Sequence, residues 1–423
     1  MTAPTRAQGS AIRRVLRALG PGITTGAADD DPSGIATYSV IGAQHGLEFL
    51  WSALFIWPLM ACVQNMCARI GMVTGMGLAG AMRQRFPRWL VGGAVLALLA
   101  ANVINIGADL AGMADAAHML GAGPAMLYVW LFGLGICALS VWLRYQQIAG
   151  LLKWLALALF AYAITALLVR PDWSQVFRAT LIPTLPRGSD SWSALVAILG
   201  TTISPYLFFW QAGQEVEEDK AKGRSSLASR RGASGRELSD RRIDVICGTL
   251  FSNLAMFFII LTTAATLHAH AITQIASSRD AAQALRPLAG DFAYWLYAIG
   301  TIGTGLIAIP TLAGSAAYAV AETFDWRYGL DEKPGNAPPF YAVFVLATAA
   351  GVALDLFGAD PIKALYWTAI INGFLAPPLL LGVLWIAIDR RIMRGQVSSW
   401  LSFAVVALTT LLMFAAAAAM LVL

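Results

Sequence analysis

The chain contains 423 residues, of which 58% are hydrophobic and only 13% are charged. With a mean hydropathy of +0.65, this composition excludes an ordinary soluble domain and is typical of a polytopic membrane protein. The formal net charge of +5 would by itself suit a nucleic-acid-binding protein, but the positions of the basic residues argue against that class.

Long apolar segments predict eleven membrane-spanning helices, and therefore an all-α integral membrane protein. Residues 1–17 are predicted to form a polar tail, and residues 18–423 to form a single transmembrane domain. The predicted spans are 18–44, 47–72, 90–118, 123–143, 150–169, 192–215, 245–269, 287–320, 339–356, 362–388 and 399–421.

The basic residues determine the predicted orientation of these spans. If the N-terminus lies in the cytoplasm, most of the 29 Lys and Arg residues fall in or beside cytoplasmic connections, as the positive-inside rule requires. The longest connection, 217–242, is rich in Arg, Ser and Gly and is predicted to be a flexible cytoplasmic loop. We therefore expect a multi-pass protein of the cell (inner) membrane with its C-terminus outside. The expected partner is the lipid bilayer, without nucleic acid, and the expected state is a monomer.

Two predicted spans are interrupted by polar residues that precede a proline. The first interruption runs from Ala28 to Gly34 and contains three consecutive aspartates, and the second runs from Thr201 to Tyr206. Proline removes a backbone donor and breaks a helix, and a broken backbone at membrane depth is tolerated only inside protein or beside a water-filled cavity. Paired broken helices in the two halves of a chain are the best sequence indication of a transporter's substrate site.

The positions of the two interruptions also predict the fold. Five predicted spans begin with each interruption, and an odd number of spans inverts the second copy in the membrane. This pattern predicts the LeuT-type fold, a 5+5 inverted repeat. The first repeat covers residues 18–169, the second covers 192–388, and the eleventh helix, 399–421, is an addition outside the repeat.

The three aspartates of the first interruption cannot all point in one direction, because consecutive helical residues lie about 100° apart. Asp31 is the best candidate cation ligand, since it directly precedes Pro32, where backbone carbonyls are also freed. The alternative is that Asp31 only caps the following half-helix at its positive end. Asp29 and Asp30 are expected to line a cavity, and one of them is a candidate direct ligand.

The second interruption offers neutral oxygen ligands. Ser204 occupies the matching position before Pro205, and Thr201 and Thr202 add two hydroxyl groups. The alternative role for these small polar residues is the close packing of membrane helices. Further candidates are the freed carbonyls of Ala28 and Thr201, and the side-chain amide of Asn372 in the tenth span.

The chemistry of these candidates indicates the kind of ion. Carboxylate, hydroxyl, carbonyl and water suit Mg²⁺, Ca²⁺ or Mn²⁺, whereas thioether and imidazole favour softer transition metals. Mg²⁺ keeps several waters and uses few carboxylates. Small residues such as Ser33, Gly34 and Ser204 would leave room for such a partly hydrated ion.

Other acidic residues allow two interpretations each. Asp109 in the third span is either a polar packing anchor or a vestibule residue. The acidic residues from Glu215 to Glu218 follow the second interruption and form either an interfacial cluster or an inner vestibule that attracts cations.

The chain resembles the Nramp family of divalent-metal transporters over nearly its whole length. In that family the first interruption reads Asp-Pro-Gly-Asn and the second reads Met-Pro-His, where this chain has Asp31-Pro32-Ser33-Gly34 and Ser204-Pro205-Tyr206. Gln64-Asn65 in the second span and Ala108-Asp109-Leu110-Ala111 in the third also agree. The resemblance implies that Asp31 is a metal ligand, and that Gly34 and Ser204 replace the family's Asn and Met ligands.

The departures from the family pattern indicate a subclass. Loss of the Met thioether removes the soft ligand that selects transition metals. The positions that serve proton transport in the family hold Tyr206, Gln211 and Gly112 in this chain. The altered site resembles the Nramp-related magnesium transporter branch, which implies uncoupled uptake of partly hydrated Mg²⁺, and also of Mn²⁺, with no resident cofactor.

Three other functions remain open at this point. One is a proton-coupled Mn²⁺/Fe²⁺ importer in which Asp29 or Asp30 carries the proton. The second is a symporter for an organic amine bound by Asp31, and the third is a membrane sensor. An enzyme is not expected, because no nucleophile and base arrangement is visible.

Overall fold

The computed structural model describes residues 25–26, 28–121, 123–142 and 158–422, and these residues form helices and connecting turns. The helices are α1 (Pro32–His45), α2 (Trp51–Thr74), α3 (Leu78–Arg83), α4 (Arg88–Leu120), α5 (Ala125–Trp142), α6 (Phe160–Val169), α7 (Trp173–Leu181), α8 (Ser189–Thr202), α9 (Pro205–Ala221), α10 (Leu227–Arg230), α11 (Gly235–Thr266), α12 (Ser278–Ala282), α13 (Arg286–Ala289), α14 (Ala293–Thr323), α15 (Pro338–Asp355), α16 (Pro361–Ile388) and α17 (Trp400–Val422).

Nine helical stretches within the described ranges are long and apolar enough to cross a membrane, counting α8 and α9 together as one. They correspond to nine of the eleven predicted spans. The second half of the predicted span 18–44 is α1, and the described end of the predicted span 150–169 contains the apolar helix α6. The predicted tail, 1–17, and residues 150–157 lie outside the described residues. The predicted all-α class is therefore confirmed.

Both interruptions produce the same local geometry. Asp31 has an extended backbone with φ −71° and ψ 169°, and Pro32 is the first residue of α1. Ser204 is likewise extended, with φ −74° and ψ 134°, and Pro205 begins α9. A residue before proline is forced away from helical angles, while proline itself suits the first helical position. Each Asp-Pro or Ser-Pro pair thus ends one half-helix and starts the next.

The backbones of the half-helices approach the backbones of neighbouring helices closely. A Cβ atom added to Gly200 of α8 would lie 2.0 Å from the Ala369 carbonyl oxygen and 2.3 Å from the Gly373 amide nitrogen of α16. A Cβ atom on Gly42 of α1 would lie 2.6 Å from the Ile260 carbonyl oxygen of α11. Small residues allow such close approach between membrane helices. The two interruptions are consequently held at the centre of the bundle, while α17 packs outside against α16 and α8.

The connection 217–242 is more ordered than its composition predicts. Helix α9 continues to Ala221, α10 occupies part of the segment, and α11 begins with a capping box formed by Ser234 and Glu237. Arg224 binds Asp219 at 2.9 Å and Glu237 at 2.6 Å, and so joins the two long helices. The prediction of a flexible loop is wrong for most of this segment, because charged side chains that look like solvated linker residues bind one another.

The acidic residues at the end of α9 are mainly partners of basic side chains. Arg241 of α11 is buried and contacts Glu215 at 2.7 Å, Asp244 at 2.5 Å, and also Glu218. Glu217 binds Lys220 at 2.8 Å. This arrangement favours the interpretation of the cluster as an interfacial network rather than an open inner vestibule.

Candidate metal site

Asp31 lies at the start of α1 and is only 2% exposed. Its Oδ1 atom accepts a hydrogen bond from the Gly34 amide at 2.6 Å, which caps the helix. Its Oδ2 atom accepts a hydrogen bond from the Asn105 side chain of α4 at 3.3 Å. An ionised carboxylate offers about four lone-pair positions, so the capping role leaves acceptor capacity for a cation.

Gly34 lies where the two interruptions meet. A Cβ atom at Gly34 would be 3.4 Å from Asp31 Oδ1, 3.4 Å from Thr201 Oγ1 and 3.4 Å from the Asp29 carbonyl oxygen. One carboxylate, one hydroxyl and one carbonyl therefore surround this position, and they come from both halves of the chain. Gly34, which stands where the Nramp pattern has its Asn ligand, thus borders a small space lined by oxygen atoms.

Ala28 and Ser204 are also buried at the interruptions, each with a defined hydrogen bond. The Ala28 carbonyl accepts from the Tyr206 hydroxyl at 2.9 Å, which links the first interruption to α9. The Ser204 hydroxyl donates to the Gly200 carbonyl at 2.7 Å and lies 2.8 Å from the Thr201 carbonyl oxygen. Carbonyl and hydroxyl oxygens carry a second lone pair, so Ala28, Thr201 and Ser204 retain the capacity to contact an ion or its water.

The bond between Tyr206 and Ala28 gives a stability prediction. Replacing Tyr206 with Phe should lower the free energy of unfolding by about 1–3 kcal/mol, because the buried Ala28 carbonyl loses its donor. Thermal unfolding in detergent without added metal would measure the change. Tyr366→Phe is the matched control, because the Tyr366 hydroxyl has no hydrogen-bond partner among the described residues. Equal effects of the two variants would contradict the prediction.

Thr202 faces away from the group around Gly34. Its hydroxyl is 3.0 Å from the Tyr38 hydroxyl of α1 and approaches the Met256 sulfur of α11. These contacts favour the packing interpretation for Thr202 over the ligand interpretation, which the sequence left open.

Asp29 and Asp30 point towards α11, unlike Asp31. The Ser252 hydroxyl contacts the Asp29 carboxylate and lies 3.0 Å from Asp30 Oδ1. The other oxygen of each carboxylate is buried without a hydrogen-bond partner. The three neighbouring aspartates therefore point in different directions, as predicted. No group of three or more His, Cys, Asp or Glu side chains within the described ranges is arranged to hold a metal.

Helix α16 supports both half-helices. The Ser33 hydroxyl donates to the Leu365 carbonyl at 2.8 Å and lies 2.9 Å from the Thr368 hydroxyl. Asn372 is buried one turn further along, next to Gly373, which approaches Val196 of α8. Its side chain makes no hydrogen bond to the other candidate ligands in the described part of the chain.

Asp109 of α4 lies closer to the candidate site than the sequence analysis predicted. Both of its carboxylate oxygens are buried without a hydrogen-bond partner, and the side chain lies close enough to interact electrostatically with Asp31. Asn105, which binds Asp31, precedes Asp109 by four residues on α4. Residues four apart share a helix face, so this spacing was the available signal for a polar face directed at the interruption.

A cavity of about 630 Å³ lies at the end of the bundle opposite to the connection 217–242. It lies between the end of α1, the start of α8 and the first turns of α16. Its polar lining includes Gln44, Asp190, Ser193 and Gln274. The same three helices pack against one another around the interruptions.

Two half-helices that meet at buried oxygen atoms within an apolar helical bundle define a membrane transporter of the LeuT type. The transporter MhsT, solved in complex with L-phenylalanine, has this fold, and the chain resembles it with a TM-score of 0.57 and 15% identity over 95% of this chain and 97% of MhsT. The model of the Nramp family, described as natural resistance-associated macrophage protein-like, matches residues 22–423. The chain therefore belongs to the Nramp family of divalent-metal transporters, and it is not an enzyme.

Individual relatives agree with this assignment. The chain is 25% identical over 394 residues to the divalent metal cation transporter MntH of Caldanaerobacter subterraneus subsp. tengcongensis, covering 91% of this chain and 88% of the relative. A manganese transporter of Eremococcus coleocola, solved in complex with an aromatic bis-isothiourea compound, has a TM-score of 0.72 and 18% identity over 99% of this chain and 89% of that protein. The predicted LeuT-type fold and the resemblance to Nramp are thus confirmed.

Proposed function

We propose that this protein takes up partly hydrated Mg²⁺, with Mn²⁺ as a competing substrate, down its electrochemical gradient and without a coupled proton. The observation that carries the proposal is the space beside Gly34, which is bordered by the Asp31 carboxylate, the Thr201 hydroxyl and the Asp29 carbonyl. These are hard oxygen ligands, and the Nramp-related magnesium branch is the subclass that the altered interruptions resemble. Such ligands suit Mg²⁺ and Mn²⁺ and give no preference for softer metals.

Asp31 is the proposed central ligand, because its carboxylate is the charged group among the three atoms nearest to the Gly34 Cβ position. The hydroxyl and carbonyl of Thr201 and the hydroxyl of Ser204 act directly or through bound water. Mg²⁺ keeps several waters when it binds proteins, so few direct contacts suffice. The remaining proposed contacts around the hydration shell are the Ala28 carbonyl, Gly34 and Asn372. Thr202 and Asp30 are directed at Tyr38 and Ser252 instead.

The absence of proton coupling is proposed from the side chains at the second interruption. The Tyr206 hydroxyl is bound to the Ala28 carbonyl, and the Gln211 amide donates to Glu215 at 2.7 Å. Neither group is a base near neutral pH. An inside-negative membrane potential contributes about 2.3 kcal/mol per charge per 100 mV, and roughly twice that for a divalent ion. This energy drives accumulation without a proton gradient.

The proposed orientation places the N-terminus in the cytoplasm and the C-terminus outside, in the cell membrane. It is supported by the position of the basic connections. In this orientation the cavity beside Asp190 faces outwards, and the ion pairs around Arg241 lie at the cytoplasmic end.

Uptake by reconstituted protein tests the proposal directly. We expect Mg²⁺ to enter proteoliposomes that hold an inside-negative potential, while a dye in the same vesicles records no acidification of the lumen. Vesicles without protein, and vesicles clamped at zero potential, are the controls. Acidification in proportion to the metal that enters would contradict uncoupled transport, and absence of Mg²⁺ entry alongside Mn²⁺ entry would contradict the proposed substrate.

The second candidate is a proton-coupled Mn²⁺/Fe²⁺ importer. It is favoured by the buried oxygens of Asp29, Asp30 and Asp109 that lack hydrogen-bond partners, because such carboxyl groups could carry protons. In that case Mn²⁺ entry would acidify the lumen, and Asp29→Asn or Asp30→Asn would abolish the acidification. If acidification is absent in the unmodified protein, this candidate is excluded.

A further inference from the structure

A second cavity, of about 240 Å³, lies away from the metal site at the opposite end of the bundle from Asp190. It is bounded by the last turns of α2, the first turns of α11 and the residues that lead into α17. Among the described residues, its polar lining comprises three arginines, three serines and an asparagine, without an acidic side chain. The residues that the following argument uses are Arg69, Arg241, Arg242, Ser398, Ser399 and Ser402.

Two of the three arginines have uncompensated charge. Arg241 is neutralised by its buried contacts to Glu215 and Asp244. Within the described ranges, Arg69 donates a hydrogen bond through its Nε atom alone, to the Gln396 carbonyl at 3.1 Å. Arg242 is exposed and forms no ion pair with any residue in the described ranges. The cavity is therefore positively charged, with the terminal guanidinium nitrogens of Arg69 and Arg242 free to donate.

Ser398 supplies an independent indication that the cavity binds a ligand. The residue is only 9% exposed, and its hydroxyl has no hydrogen-bond partner, although its amide donates to the Ala387 carbonyl at 2.9 Å. A buried polar atom without a partner is rare and costly. Ser398 is one of the residues that line the cavity, so a ligand with acceptor oxygens bound there would satisfy the hydroxyl.

The first turn of α17 adds to the attraction for an anion. Ser399 caps this helix by accepting from the Ser402 amide at 3.2 Å, and α17 continues for 23 residues. The N-terminus of such a helix carries partial positive charge and favours anionic groups. The cavity thus combines guanidinium groups, a free hydroxyl and a helix N-terminus.

We propose that this cavity binds a phosphoryl group, and that the phosphodiester headgroup of an anionic lipid provides it. Arginine donates to phosphate oxygens in a planar, bidentate geometry, and basic cavities between membrane helices on the cytoplasmic side suit anionic headgroups. Trp400 and Leu401 are 79% and 72% exposed at the start of α17, where an aromatic ring is favoured at the bilayer surface. The proposal does not depend on the identity of the transported ion.

Thermal unfolding of the full chain in neutral detergent tests the proposal. At constant salt, we expect dioleoylphosphatidylglycerol to raise Tm and dioleoylphosphatidylcholine to leave it unchanged. Potassium phosphate distinguishes the two sources of the group: stabilisation by millimolar phosphate with no effect of the lipid would assign the cavity to a free phosphate and overturn the lipid assignment. Absence of stabilisation by either probe would overturn the site.

Two variants and a matched control locate the effect. Arg242→Gln should weaken phosphatidylglycerol binding about tenfold, the usual consequence of losing one charge-assisted hydrogen bond. Ser398→Ala should also weaken binding, yet leave Tm without lipid unchanged or higher, because it removes an unsatisfied hydroxyl. Arg236→Gln removes the same charge from an exposed site on α11 that pairs weakly with Asp240, and it should bind lipid normally. An equal loss of affinity in Arg236→Gln would show general surface attraction and overturn the proposal.

Discussion

Mg²⁺ uptake should fall by roughly 100-fold or more when Asp31 is replaced by Asn, because even groups that only orient a metal ligand contribute 10- to 100-fold. Asn is as good a helix N-cap as Asp, so the hydrogen bond from the Gly34 amide at 2.6 Å can be kept. Asn105 can keep its contact as well, since its Oδ1 atom has no partner and can accept from the new amide. The substitution therefore removes the charge while preserving the start of α1.

Uptake into proteoliposomes at a fixed inside-negative potential measures this effect, with protein content and Tm checked for each variant. Asp29→Asn is the matched control, because it removes a buried aspartate of the same interruption that contacts Ser252 of α11 instead. We expect it to retain most of the Mg²⁺ flux. If Asp31→Asn transports normally while Asp31→Ala does not, Asp31 acts only as a helix cap, and the proposed central ligand is wrong.

The parts of the site that depend on local chemistry were predictable from the sequence. An extended residue before proline, a helix start at the proline and divergence of three neighbouring aspartates follow from backbone sterics and helix geometry alone. The structure has the first two features at both Asp31 and Ser204, and the third at the first interruption. The membrane-spanning helices could also be identified from the sequence, because the length of an apolar segment determines whether it crosses a membrane.

The parts that depend on contacts between distant segments were not predictable. Asn105 reaches Asp31 across 74 residues, and Tyr206 reaches Ala28 across 178 residues. The local sequence indicates a polar helix face at Asn105, but it does not indicate which residue each partner contacts. Thr201 and Thr202 are neighbours with the same side chain, yet one borders Gly34 and the other binds Tyr38. Only the packing of α1 against α8 separates their roles.

Replacing Ser204 with Met should change the preference between hard and soft ions. A thioether is a soft ligand that favours Mn²⁺ and especially Cd²⁺ over Mg²⁺. We expect the ratio of Cd²⁺ or Mn²⁺ uptake to Mg²⁺ uptake to rise roughly tenfold, which corresponds to about 1.4 kcal/mol of differential binding. Competition of each metal against a tracer in proteoliposomes measures this ratio.

The control for Ser204→Met must separate sulfur from size. Ser204 is buried, and a larger side chain in a packed interior costs about 1–3 kcal/mol of stability whatever its chemistry. Ser204→Leu carries a similar steric cost without sulfur, so any difference between the two variants reports the thioether. Gly34→Asn complements them, because its Cβ atom would occupy the space 3.4 Å from the three neighbouring oxygens while its amide adds another hard oxygen. It should alter affinity without the shift towards Cd²⁺. A Leu variant that matches the Met variant would show that cavity size, and not the softness of the ligand at Ser204, controls which ion is transported.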